Sequence, residues 1–212
     1  MPVADVSSTP VSDMLSLEGR IAVVTGGARG IGEAICRRFA EAGADVLVAD
    51  LDEALAVEVA AALAAEHGHR ASGVSLDVAD ERAVEETADR AVAELGGIDI
   101  WVNNAGIFPT EPFLAMSAAA WDKVLGVNLR GTFLGAHAAA TRMVSAETPG
   151  VIINITSTAA FQAAPGLSHY VSSKHGVRGL TKALAVELGP SRIRVLAIAP
   201  TLIETPGIEA GR

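Results

Sequence analysis

The chain has a single cysteine, Cys36, and so closes no internal disulfide. That thiol stands in Ile35-Cys36-Arg37-Arg38-Phe39, the pattern of a helix face packed on a sheet, and no cluster of metal-ligand residues surrounds it. A structural thiol is expected. Half of the 212 residues are hydrophobic, yet no apolar run reaches the length of about eighteen residues that a spanning helix needs. Basic residues are also short: 16 Lys and Arg stand against 25 Asp and Glu, giving a formal net charge of −9. No basic block offsets this locally, which argues against nucleic acid and leaves small molecules as partners. Residues 1–16 mix Ser, Thr, Pro and Asp without the basic start and apolar centre of a secretory signal, and a flexible leader is expected there. No repeat and no linker interrupts the remainder. Residues 17–212 therefore read as one soluble, cytoplasmic domain with no membrane contact.

What is present is alternation. Residues 20–25 form a β-branched apolar run ending in glycines, and residues 31–42 then carry apolar side chains at helical spacing. The pattern repeats with strands expected at 45–49, 71–76, 98–102, 151–156 and 193–199, and helices at 53–67, 81–95, 117–143 and 168–188. This predicts an α/β fold, a Rossmann-like doubly wound parallel sheet of six strands with helices on both faces. The alanine-rich stretches at 54–65 and 136–140 suit close packing of helix on sheet.

In such a sheet the ligand crevice lies beyond the carboxyl ends of the strands. The distinctive residues fall there: Thr25-Gly26, Asp50, Asp77, Asn103-Asn104-Ala105-Gly106, Ser157 and Pro200, one set after each strand. Glycines 26, 30 and 32 in Thr25-Gly26-Gly27-Ala28-Arg29-Gly30-Ile31-Gly32 permit a tight turn that approaches a pyrophosphate at a helix's positive end, although a plain glycine-rich turn is the alternative. Asp50 ends the next strand, where a carboxylate accepts hydrogen bonds from ribose hydroxyls and repels a 2′-phosphate. NAD is thus favoured over NADP, with Arg29 as the residue that argues the other way. Asp50 could instead cap a helix, and Asp77 is balanced between a cap and an adenine contact. The amides of Asn103 and Asn104 can tie neighbouring strands together.

Tyr170 and Lys174 lie four apart on one helix face, where an ammonium can bias a phenol toward ionisation, and Ser157 stands thirteen residues before the tyrosine. With Asn128 in Val127-Asn128-Leu129-Arg130-Gly131, these motifs resemble the one-domain subgroup of the short-chain dehydrogenase/reductase family over residues 17–205. The resemblance implies a catalytic tetrad of Asn128, Ser157, Tyr170 and Lys174. In it Tyr170 is the general acid and base, Ser157 holds the substrate oxygen, Lys174 also binds the nicotinamide ribose, and Asn128 positions a water leading from Lys174 to solvent. The cofactor bed it implies comprises Gly26, Arg29, Gly30, Ile31, Gly32, Asp50, Leu51, Asp77, Val78, Asn104, Ala105, Gly106, Tyr170, Lys174, Pro200, Ile203 and Thr205.

The activity implied is hydride transfer between NAD and a secondary alcohol or ketone. A 3-oxoacyl thioester reductase using NADPH, and a nucleotide-binding protein without useful catalysis, are the alternatives. A homodimer or homotetramer is implied, partly through the helices at 117–143 and 168–188. His169 and His175 lie outside the family pattern and are read as cleft lining or surface, and Trp101 and Trp121 as packing. Two departures stand out. Thr201 replaces the usual glycine of the Pro-Gly-x-x-x-Thr stretch. The family's substrate-covering helices and seventh strand follow the point where this sequence stops, which leaves the sixth strand's edge unpaired.

Overall fold

A computed structural model describes residues 7–203. Its central strand, β1 (Ile21–Thr25), is buried along its whole length. Alternation along the strand explains why: Ile21 and Val23 enter one apolar layer, while Ala22 and Val24 enter another on the opposite face. A strand covered on both faces reads as a continuous hydrophobic run. Around it lie β2 (Asp45–Asp50), β3 (Ala71–Ser75), β4 (Ile100–Asn103), β5 (Gly150–Ile155) and β6 (Ile193–Ile198). All pair in parallel, in the order β3-β2-β1-β4-β5-β6. The expected six-stranded, doubly wound sheet is what the chain forms.

After a short helix α1 (Val11–Leu15), α2 (Gly30–Glu41) and α3 (Glu53–His67) cover the Ala22 face. The Ile21 face is covered by α4 (Glu81–Leu95) and α6 (Gly131–Ser145), with Leu184 of α7 (Ser168–Glu187) packed beside them. Cys36 lies in the α2 layer, where burial pushes its thiol up to about 12 and leaves it an unreactive packing group, as expected. No helix among the described residues is long and apolar enough to cross a membrane.

The expected single helix at 117–143 is in fact two. Helix α5 (Ala118–Leu125) runs into a π-helical turn at Gly126–Arg130, and α6 follows. The extra residue in that turn carries Asn128 inward, where it is fully buried. Apolar spacing continues through the bulge, so periodicity alone did not reveal it. At the far side of the sheet, β6 buries Ile193 and Val195 but leaves Leu196 and Ile198 at 47% and 52% exposure. Among the described residues, β6 pairs only with β5.

Candidate active site

Register places the carboxyl ends of the strands on one line: Thr25 opposite Ala49, Asp50 opposite Ser75, and Asn103 opposite Asn154. Just beyond lies the glycine loop. Gly26 has φ +63°, and a Cβ there would stand 2.9 Å from the Ala105 Cα. A Cβ on Gly32 would overlap the Gly26 carbonyl, so the first turn of α2 rests directly on the loop. Asn104 fastens the loop to β4 by donating from Nδ2 to the carbonyls of Thr25 and Gly26, at 3.0 and 2.9 Å. The Thr25 hydroxyl returns the tie by accepting the Asn104 and Ala105 N–H groups.

Asp50 is buried at the end of β2. Its oxygens accept the Ala28 N–H at 3.1 Å and the Asp52 N–H at 3.2 Å. The capping alternative belongs to its neighbour, because Asp52 accepts the Leu55 N–H and caps α3. Likewise Asp80 caps α4, while Asp77 accepts the Ala79 N–H in a local turn. Leu51 is 72% exposed beside Asp50, whereas Val78 is buried in the core. Arg29 pairs with Asp52 at 2.9 Å on the surface. Gly30, with φ +57°, opens α2, and it and Ile31 are both half-buried. Pro200 accepts the Thr158 N–H through its carbonyl, and Ile203 is partly exposed. Thr205 lies outside the described residues.

The tetrad residues meet beyond β4 and β5. Ser157 Oγ accepts the Ala159 N–H at 3.1 Å, which uses a lone pair and leaves the hydroxyl proton to donate. The Lys174 ammonium is buried and donates to the Ile155 carbonyl at 2.8 Å; desolvation lowers its pKa to about 8. Its Nζ lies 5.7 Å from the Tyr170 ring centroid. The expected bias toward phenolate is not what the chain's own groups produce. Burial raises the Tyr170 phenol above 10.0, and the Ser157 hydroxyl offsets this only in part.

Asn128 joins the site as a fastener. Its Oδ1 accepts the Ile107 N–H, its Nδ2 donates to the Ile107 carbonyl, both at 2.8 Å, and Nδ2 also donates to Ser173 Oγ at 3.1 Å. Ser173 in turn donates to the Tyr170 carbonyl. Both amide protons are spent on protein, so only oxygen lone pairs of Asn128 are left for a water.

His169 differs from expectation, for it is wholly buried. It lies one turn before Ser173 on the inward face of α7, and its Nδ1 accepts the Tyr170 N–H at 2.8 Å. Its Nε2 has no partner among the described residues. His175 is exposed, with a ring nitrogen 3.0 Å from the Val171 carbonyl. Trp101 packs in the core as expected, donating to Asn103 Oδ1. The strand tie expected of the Asn103 amide is present, whereas its buried polar partners Asn154 and Thr181 escaped the sequence reading. Asn103 donates to Asn154, and Asn154 donates to Thr181 of α7, each at 2.9 Å, so a polar chain crosses from β4 over β5 to the helix that carries Tyr170 and Lys174. A polar residue inside an apolar strand run, as in Val151-Ile152-Ile153-Asn154-Ile155, was the available signal.

Known proteins are similar to this chain in sequence and fold. Residues 20–210 match the family model described as short chain dehydrogenase. An uncharacterized oxidoreductase of Thermotoga maritima is 42% identical over 89% of this chain and 73% of its own length. The 3-oxoacyl-[acyl-carrier-protein] reductase FabG of Aquifex aeolicus is 39% identical over 90% of this chain and 77% of its own. The crystal structure of a short-chain type dehydrogenase/reductase from Mycobacterium marinum superposes with a TM-score of 0.91 at 38% identity, covering 95% of this chain and 80% of that one. Fold, motifs and similarity agree, and the chain belongs to the short-chain dehydrogenase/reductase family of oxidoreductases.

Proposed function

We propose that the chain transfers a hydride between a nicotinamide cofactor and the reacting carbon of a secondary alcohol or ketone, with Tyr170 as general acid and base. The observation that carries this reading is the meeting of Tyr170, Ser157 and Lys174 at one end of β4 and β5, held by the Ile107–Asn128–Ser173 ties. The Ser157 hydroxyl, which faces the Tyr170 phenol, donates its proton to a bound substrate oxygen and steadies charge that develops on it. Tyr170 takes the proton of an alcohol or returns it to a carbonyl. Lys174 has two N–H donors beyond the one given to Ile155. A Cβ on Gly106 would stand 3.7 Å from that Nζ and 3.3 Å from Asn128 Oδ1, so the bare backbone of Gly106 keeps side-chain atoms away from the ammonium on the side where a ribose would approach. A nicotinamide bound there supplies the hydride donor or acceptor.

NAD is the favoured form. Asp50 is held still by two N–H groups, and its remaining lone pairs suit ribose hydroxyls. Arg29 is engaged by Asp52, so a 2′-phosphate would meet two carboxylates and a cation already paired. The 3-oxoacyl thioester reading has the Aquifex relative in its favour and Asp50 against it. A homo-oligomer belongs to the same proposal. Its support is a shallow apolar cavity of about 470 Å³ between Leu125, Leu129, Phe133 and Leu180 on the α5–α6–α7 surface.

Titration with NADH and NADPH, followed by absorbance on adding ketones to the reduced cofactor or secondary alcohols to its oxidised form, tests the reading. Tighter NADH binding with turnover is expected. Tight NADPH and weak NADH binding would remove the NAD assignment, and binding without any turnover would remove the enzymatic one.

A further inference from the structure

Phe108 is 44% exposed, and its ring stands edge-on to Tyr170, with centroids 6.1 Å apart and planes at 62°. It is also the residue that follows Ile107, whose N–H and carbonyl are both clasped by Asn128. Three residues later the Glu111 N–H donates to the Gly166 carbonyl at 2.9 Å, and the Ser168 hydroxyl contacts Met116 Sδ at 3.8 Å. The segment carrying Phe108 is therefore anchored to the π-turn on one side. On the other it is laced to the turn that leads into Tyr170. The ring is held in place while its face remains open.

The chemistry of the surrounding segments is one-sided. Across residues 107–117 and 158–168, Glu111 is the only ionisable side chain. Neither segment supplies a cation to pair with a carboxylate or phosphate next to the reacting carbon, and the Arg178 guanidinium that reaches the second is stacked on Phe161, 4.4 Å from its ring centroid. A fixed aromatic edge rewards an apolar group that covers it, and it strips water from hydroxyls placed against it without replacing their hydrogen bonds.

We propose that Phe108 is a specificity-determining residue. It forms an apolar wall beside Tyr170 that takes an uncharged ketone or secondary alcohol whose reacting carbon bears a ring or branched hydrocarbon, and it discriminates against small polyols. The inference rests on the hydride-transfer reading for the fate of the bound carbonyl, and its test separates the two. The chain has one tyrosine, so 3-fluorotyrosine labelling yields a single ¹⁹F signal at Tyr170. With NAD present, methyl cyclohexyl ketone should move and saturate that signal at concentrations at least about tenfold lower than 1,3,4-trihydroxy-2-butanone does. In Phe108→Ala the preference should collapse to about threefold or less, while Phe108→Leu, which keeps apolar bulk, should retain most of it. Equal saturation by the two ketones, or a preference unchanged in Phe108→Ala, would overturn the assignment. Turnover of both ketones with NADH supplies the second arm. A Phe108-dependent preference without reduction of either ketone refutes hydride transfer and leaves the wall standing. Reduction of both without that preference refutes the wall alone.

Discussion

Lys174 keeps its ammonium where burial works against it, and the strain has a readable sign. Lowering its pKa from 10.5 to about 8 costs the folded chain roughly 3 kcal/mol while the lysine is charged. Below the folded value both states are protonated and the cost is complete. Between about 8 and 10.5 the unfolded chain still binds the proton and the folded chain has released it, so folding gains as pH rises. Lys174→Met removes the titration. Urea unfolding without ligand should show the wild type gaining on Lys174→Met as pH climbs from 7.5 to 10, and a flat or falling difference would exclude a buried charged lysine. Tyr170 carries the complementary prediction. Alcohol oxidation needs the phenolate, and burial raises this phenol, so the oxidation rate should climb through the alkaline range while ketone reduction does not. Tyr170→Phe should abolish both directions and leave NADH affinity within about threefold, because only the proton carrier is lost. Substantial residual turnover in that variant would move the acid and base role elsewhere.

At the level of elements, the π-turn is the piece on which the site depends. Asn128, itself fully buried, satisfies both backbone groups of half-buried Ile107 and the buried Ser173 hydroxyl. Removing it orphans several buried polar atoms at once, and Asn128→Ala should cost about 2–4 kcal/mol in denaturant unfolding. A loss well below 1 kcal/mol would mean that water replaces the amide freely. This turn also marks where the sequence stopped being informative. The six strands, the glycine loop, Asp50 and the Tyr170/Lys174 spacing were legible because each depends on local pattern or on a residue type with few substitutes. The bulge was not, since one additional residue in a turn leaves the apolar spacing of 117–143 nearly unchanged. Nor could spacing choose which of two neighbouring aspartates caps a helix: Asp52 and Asp80 take that work, and Asp50 is thereby left for the loop. His169 looked like cleft lining because it adjoins Tyr170 in sequence, yet on a helix adjacent residues point about 100° apart and this one points inward.

For the whole molecule, two apolar surfaces are candidates for the homo-oligomer contact proposed above. One is the cavity around Leu129 and Phe133, with Phe133 at 47% exposure, and the other is the open side of β6, where Leu196 and Ile198 stand out beside an edge that pairs with nothing further among the described residues. They should behave differently. A compact helical surface closes into a discrete oligomer, whereas an exposed strand edge templates open-ended pairing. Sedimentation velocity over a range of concentrations distinguishes them. Phe133→Glu should lower the mass of a discrete species if the helices assemble the protein. Ile198→Lys places a charge on the strand itself and should suppress a broad, concentration-dependent fast-moving fraction without dissolving the discrete species. If Ile198→Lys instead converts the discrete oligomer to monomer, the β6 side is the assembly surface and the helical cavity is not.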